Sequence, residues 1–308
     1  MAARISLFLG KGGVGRTTLA CAFAVDRAAA GERVLLASVV AHDDPVSRIQ
    51  HEAAGVDTGG RLEFLRIDAR ALVDDLVRRV TRLGALSEYV VRHPSYDSLV
   101  EIVPGVREMA IFHLLEKKRH EGFDRIVLDA PATGHGIHFL EAPEKGARIL
   151  AGPLRERAEA LRDMLKDAAT TDVVIVTIPE ETPVRETIEL AQKLRAQGFT
   201  LDNVVVNRWL PRLFSDPGSR RVLDALERDA GAREALQAAV EERGAPIEVE
   251  EWLAALRVVA GQRREAETHL AELRRVPARL AVVPLIPDSS RRLLRVAAAM
   301  RAPPEVFA

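Results

Sequence analysis

Nine residues near the start, Gly10-Lys11-Gly12-Gly13-Val14-Gly15-Arg16-Thr17-Thr18, constrain the fold more than any other stretch. They follow a short apolar run, RISLFL at 4–9. They precede TTLACAFAVDRAAA at 17–30, whose small and apolar residues read as a buried helix stopped by Gly31. A second apolar run, RVLLAS at 33–38, comes next. Strand, glycine turn, helix and strand make a βαβ unit, which commits the chain to a parallel sheet covered on both faces. Glycines permit positive φ and turn successive N–H groups toward one point. The helix N-terminus behind them adds the positive end of its dipole, so the turn predicts an anion site.

Two loop patterns fit. Gly10, Gly12 and Gly15 satisfy the dinucleotide spacing GxGxxG, with Asp43 at a plausible distance past the second strand. The same string also matches the triphosphate loop GxxxxGK[ST], with Thr17 as the hydroxyl beside a metal and Arg16 in the lysine position. A dinucleotide loop does not ask for Lys11 or the Thr17-Thr18 pair, and a triphosphate loop is suited by both; the second pattern is preferred. A glycine turn that binds nothing is the third alternative.

The remaining apolar runs extend the pattern. Strands are predicted at 61–68, 124–130, 171–180, 201–207 and 278–287, with helical stretches at 69–92, 104–119, 135–168, 182–197 and 289–301. In 69–92, Leu72, Val73, Leu76, Val77, Val80, Leu83 and Leu86 recur at helical spacing, as a helix packed on its neighbours or as one wall of a groove for an apolar partner. Residues 212–275 are charged, helical in pattern and without a convincing strand. The expected fold class is α/β: one domain over 1–308, a doubly wound and mostly parallel sheet, with helical insertions at about 69–120 and 212–275.

Composition narrows the function. The 308 residues are 47% hydrophobic and 29% charged, enough for a sizeable core. A net charge of −1 gives no overall field for nucleic acid or anionic lipid, so no nucleic-acid partner is expected. The single cysteine, Cys21, excludes a disulfide scaffold and a thiolate-built zinc site within the chain. No apolar run approaches the ~20 residues of a membrane span, and Ile5–Leu9 is too short for a secretory leader. A cytoplasmic location is expected.

The string KGGVGRTT at 11–18 resembles the deviant phosphate loop KGGVGKT of the SIMIBI class of P-loop NTPases. DAPATGH at 129–135 resembles the switch II element DTAPTGH of the ArsA group, which comprises arsenite-pump and tail-anchored-protein-targeting ATPases. VTIPEETPVRETIEL at 176–190, VVVNR at 204–208 and VPLIP at 283–287 are similar to later segments of the same group, in the same order. The resemblance implies an ATP hydrolase fold with ATP and Mg²⁺ as cofactors. It implies phosphate contacts from Gly10, Lys11, Gly12, Gly13, Val14, Gly15, Arg16, Thr17 and Thr18, and adenine-side contacts from Asn207 and Pro284. Thr17 and Asp129 would serve the metal, as a hydroxyl ligand and a carboxylate ordering its water. Lys11 would reach across a face-to-face homodimer, or a heterodimer with an ArsA-like relative, to the partner's nucleotide. Gly134 and His135 would move with the γ-phosphate. A membrane-protein or transport partner is implied without being identified.

The sequence departs from that pattern at three places. Arg16 replaces the lysine, and a planar guanidinium cannot mimic a compact ammonium. With His42 aligned on the family's switch I histidine, Val39 and Val46 fall where two aspartates belong. Asp43 and Asp44 lie close by, and Asp44 is the candidate to position the attacking water in a shifted register. Positioning and charge stabilisation carry phosphoryl transfer, so slow hydrolysis by the isolated chain is expected. A catalytically degenerate regulatory subunit, paired with an active relative, is the alternative. Cys21, inside TTLACAFA, is expected to be a core residue, and only four methionines are present to line a client groove.

Overall fold

Strand β1 (Arg4–Leu9) sets the two-layer architecture through its own alternation. Ile5, Leu7 and Leu9 enter one buried cluster and Phe8 the other. The same division holds for β4 (Arg125–Asp129), with Ile126 and Leu128 on the first face and Val127 on the second. Strands buried on both faces are continuous apolar runs, which is why they were legible in the sequence. The computed structural model describes residues 3–40, 48–74, 105–131, 136–210, 217–243, 248–286 and 291–302.

Seven parallel strands lie in the order β3-β2-β4-β1-β5-β6-β7. They include β2 (Val34–Val40), β3 (Leu62–Asp68), β5 (Thr171–Thr177), β6 (Leu201–Trp209) and β7 (Arg279–Pro284). Helix α1 (Arg16–Ala29) leaves β1 toward the Phe8 face, where α2 (Arg48–Ala54) and the closing helix α10 (Arg292–Arg301) also pack. Helices α3 (Val106–Lys118), α4 (Gly136–Ile149), α5 (Pro153–Lys166) and α6 (Glu181–Ala196) cover the opposite face. The chain thus departs from adjacent strands β1 and β4 toward opposite faces, and a crevice forms at their carboxyl ends. The glycine loop and Asp129 both sit there.

Of the expected first insertion, 69–74 is helical, and 106–118 buries Ile111, Phe112 and Leu115 in the main core. Helix α3, within the expected insertion, thus packs against the α/β layer. Residues 75–104, which carry Leu76, Val77, Val80, Leu83 and Leu86, lie outside the described residues. The predicted stretch 135–168 is two helices, broken where Gly152 takes φ +56° and Pro153 starts α5.

Residues 217–273 are three helices: α7 (Pro217–Arg228), α8 (Ala230–Glu242) and α9 (Val249–Leu273). Leu226, Val249 and Leu253 form their small shared core, and α8 buries no residue at all. Helix α9, about 37 Å long at 1.5 Å per residue, joins that core to the main one, where its Ala266, Leu270 and Leu273 pack. Among the described residues, no helix is long and apolar enough to cross a membrane.

Candidate functional site

The loop after β1 is shaped by three glycines with positive φ: Gly10 at +153°, Gly13 at +84° and Gly15 at +88°. Two of them are also required by close approach. A Cβ on Gly10 would lie 2.4 Å from the carbonyl oxygen of Val176 in β5, and one on Gly15 would lie 2.3 Å from Asn207 Nδ2. Lys11, Gly12 and Gly13 are exposed at the crown, while Val14 is buried beneath them. Gly15 caps α1, whose first turn holds no acidic side chain of its own, and the amide end of the helix faces the loop. Thr17 and Thr18 are half-buried in that turn.

Arg16 turns inward. Its Nε donates to Asp129 Oδ1 at 2.9 Å and its Nη1 donates to the carbonyl oxygen of Gly10 at 2.9 Å. Its side chain is 9% exposed and that of Asp129 10%. The second carboxylate oxygen, Asp129 Oδ2, accepts from Thr17 Oγ1 at 2.7 Å. The three residues thus close on one another, and the guanidinium ties the first residue of the loop to the end of β4. A buried charge is tolerated only when paired and hydrogen-bonded, and both conditions are met here.

Thr17 and Asp129 come together as the resemblance implies, but not in an arrangement that fits a magnesium ion. The carboxylate's partners are a guanidinium and the very hydroxyl that would ligate the metal. The guanidinium neutralises the carboxylate charge that would otherwise draw in a divalent cation. Val39, at the switch I position, is packed partly buried against the core cluster and offers no oxygen. Among the described residues no group of three or more His, Cys, Asp or Glu could hold a metal. Asp44, with His42, Asp43 and Val46, lies outside the described residues, as do Gly134 and His135.

On the opposite side of the loop, Asn207 and Pro284 end neighbouring strands, with Trp209 paired to Pro284 in register. Asn207 Nδ2 donates to the carbonyl oxygen of Val14 at 2.9 Å, which uses one of its two N–H donors on the loop itself. Two residues on, Trp209 is fully buried, and the Arg263 guanidinium of α9 lies over its ring, 4.2 Å from the centroid. Arg263 also donates through Nη1 to the carbonyl oxygen of Leu210 and through Nε to Glu267. This contact joins the strand end beside the loop to the helical insertion. It was not legible from the sequence, because an arginine on a charged helix reads as solvent-facing.

Lys11 is almost half-exposed and its Nζ lies 2.9 Å from Glu186 Oε1 on α6. An exposed pair of this kind contributes about 0–1 kcal/mol, so it restrains the lysine weakly. Both residues line a cleft of about 590 Å³ beside the loop, together with Gly10, Glu141, Thr177 and Lys193. Burial pushes the Glu141 carboxyl up, but hydrogen bonds from Lys145, Gln197 and His138 outweigh it and hold the carboxyl at about 2. Cys21 is buried as expected, and burial, with the charges of Asp129 and Glu52, pushes its thiol far above the ordinary thiol range. It is a core residue without nucleophilic character.

Comparison with known proteins agrees with the geometry. The family model described as anion-transporting ATPase, ArsA_ATPase, matches residues 3–153 and 151–242. The ATPase BagA of Mycobacterium tuberculosis is 29% identical over 224 residues, covering 68% of this chain and 66% of that protein. The ATPase GET3 of Chaetomium globosum is 29% identical over 251 residues, covering 68% of this chain and 73% of its own length. The ATPase GET3C of Arabidopsis thaliana is 26% identical over 266 residues, covering 67% of each. The match to the mycobacterial relative thus spans just under two thirds of that protein's length. A glycine loop at the switch point of a seven-stranded parallel sheet, the order of the later motifs, and a family match over most of the chain lead to one conclusion: this chain belongs to the ArsA family of ATPases.

Proposed function

We propose that the chain is a single nucleotide-binding domain that takes ATP on Gly10–Thr18, with the base toward Asn207 and Pro284. It pairs face to face with a second ArsA-like subunit and passes the nucleotide state to helices α7–α9 for transport or targeting in the cytoplasm. The observation that carries this reading is the loop itself: positive-φ glycines, a helix N-terminus facing them and Asn207 bonded to Val14 at the crevice between β1 and β4. The exposed, weakly restrained Lys11 supports a role across a dimer. The buried Arg263–Trp209 contact supports coupling to the helical part.

Hydrolysis by the isolated chain is slow in this reading, because the salt bridge from Arg16 to Asp129 neutralises the charge that would stabilise the phosphoryl group in transfer. That same bond favours a second reading, a regulatory subunit that lends Lys11 to an active relative of the KGGVGKT type. Calorimetric titration with ATP, followed by a turnover assay on the pure chain, tests both. Heat of binding with turnover far below ~1 s⁻¹, the low end of ordinary enzymes, is expected. Turnover at that rate contradicts the slow-hydrolysis proposal, and absence of any ATP binding contradicts the proposed function. Stimulation on mixing with a KGGVGKT relative selects the regulatory reading.

A further inference from the structure

Resting on the reading of the loop as an ATP site, we propose that the Arg16 guanidinium takes the place of the divalent cation, so that this chain binds nucleotide without Mg²⁺. Four observations converge on the same few atoms. The guanidinium is 9% exposed and fixed at both ends, by Asp129 Oδ1 and by the Gly10 carbonyl oxygen, each at 2.9 Å. Thr17 spends its hydroxyl proton on Asp129 Oδ2 at 2.7 Å, so the two groups that would serve a metal serve each other. Val39, which falls where the resemblance implies a carboxylate, is partly buried hydrocarbon packed against the core cluster. Arg16 is paired to a carboxylate of opposite charge, so the locus is already neutral and exerts no pull on a cation.

What the locus retains is hydrogen-bonding capacity. A guanidinium has five N–H donors in a rigid fork, and the two bonds at Asp129 and Gly10 use two of them. The rest suit phosphate oxygens, for which a planar fork is well matched. A lysine in this position has a single ammonium that points along its stem. It cannot bond the carboxylate, the loop carbonyl and a phosphate in one plane, so it leaves the carboxylate free to serve a metal. Residue 16 therefore decides whether the ligand is the free nucleotide or its magnesium complex, and here it removes the distinction.

The test is calorimetric titration of ATP into the full chain, once with excess Mg²⁺ and once with EDTA. The expected result is the same affinity in both, within about threefold. Arg16→Lys is expected to restore the distinction, binding at least about tenfold more weakly in EDTA than in Mg²⁺. Thermal unfolding of the native chain gives an independent reading if the lysine variant does not fold: saturating ATP is expected to raise the melting temperature equally, within about 1 °C, in Mg²⁺ and in EDTA. Binding by the native chain that disappears in EDTA overturns the inference while leaving the ATP reading intact, and stabilisation by ATP that appears only in Mg²⁺ does the same. Failure to bind ATP in either buffer overturns both.

Discussion

Arg16→Ala is expected to destabilise the fold by about 3 kcal/mol, the low end of what removing one partner of a buried ion pair costs. Asp129 would keep only the Thr17 hydroxyl while remaining 10% exposed, a carboxylate stranded where water cannot replace the lost partner. The Gly10 carbonyl would lose its side-chain donor at the same time. For a chain of this size the melting temperature should fall by about 5 °C. A double variant, Arg16→Ala with Asp129→Ala, should cost less than the sum of the two single changes, because it removes the stranded charge along with its partner. Denaturant unfolding of the four proteins measures this directly. A loss below about 1 kcal/mol for Arg16→Ala would mean that the pair behaves like an exposed surface contact, contrary to the geometry.

The second large effect is expected at Gly10. A methyl group there meets the Val176 carbonyl oxygen at 2.4 Å, and Val176 is backbone of a central strand that cannot give way. Overpacking of this kind costs about 1–3 kcal/mol, and the positive φ at Gly10 adds about 1–2 kcal/mol for any residue with a Cβ. Gly10→Ala should therefore lose about 3 kcal/mol and shift the start of the loop away from β5, abolishing ATP binding. Gly12→Ala is the matched control: nothing lies within 4 Å of its added carbon and its φ is not positive, so about 0.5 kcal/mol or less is expected. Equal losses at the two positions, measured by thermal and denaturant unfolding, would show that the loop does not approach β5 as described.

The parts of this architecture that are local in the chain were legible from the sequence. Strand β1, the glycine turn and α1 follow from apolar runs, glycine spacing and small residues within thirty positions of one another. The order of later strands follows from continuous apolar runs such as TDVVIVT, because a strand buried on both faces has no polar interruption. The destination of Arg16 was not legible, since Asp129 is 113 positions away and only the register of β1 with β4, Phe8 opposite Asp129, brings them together. For the same reason the bond from Asn207 to Val14, 193 positions apart, was not legible. Glu186 was within the quoted PEETPVRET stretch, but nothing local marks it as the partner of Lys11. The break between α4 and α5 is a different case: Gly152-Pro153 is a helix stop and start written in the sequence, and the helical periodicity on either side masked it.

Hydrogen–deuterium exchange of the full chain, with and without saturating ATP, tests the central claim most directly, because it reports where the nucleotide sits as well as whether it binds. Slower exchange is expected at the amides of Gly12 through Thr18 and around Asn207, with the three-helix segment changing less than the loop. Saturating ATP that leaves those amides unchanged, while protecting another part of the chain, would contradict the account.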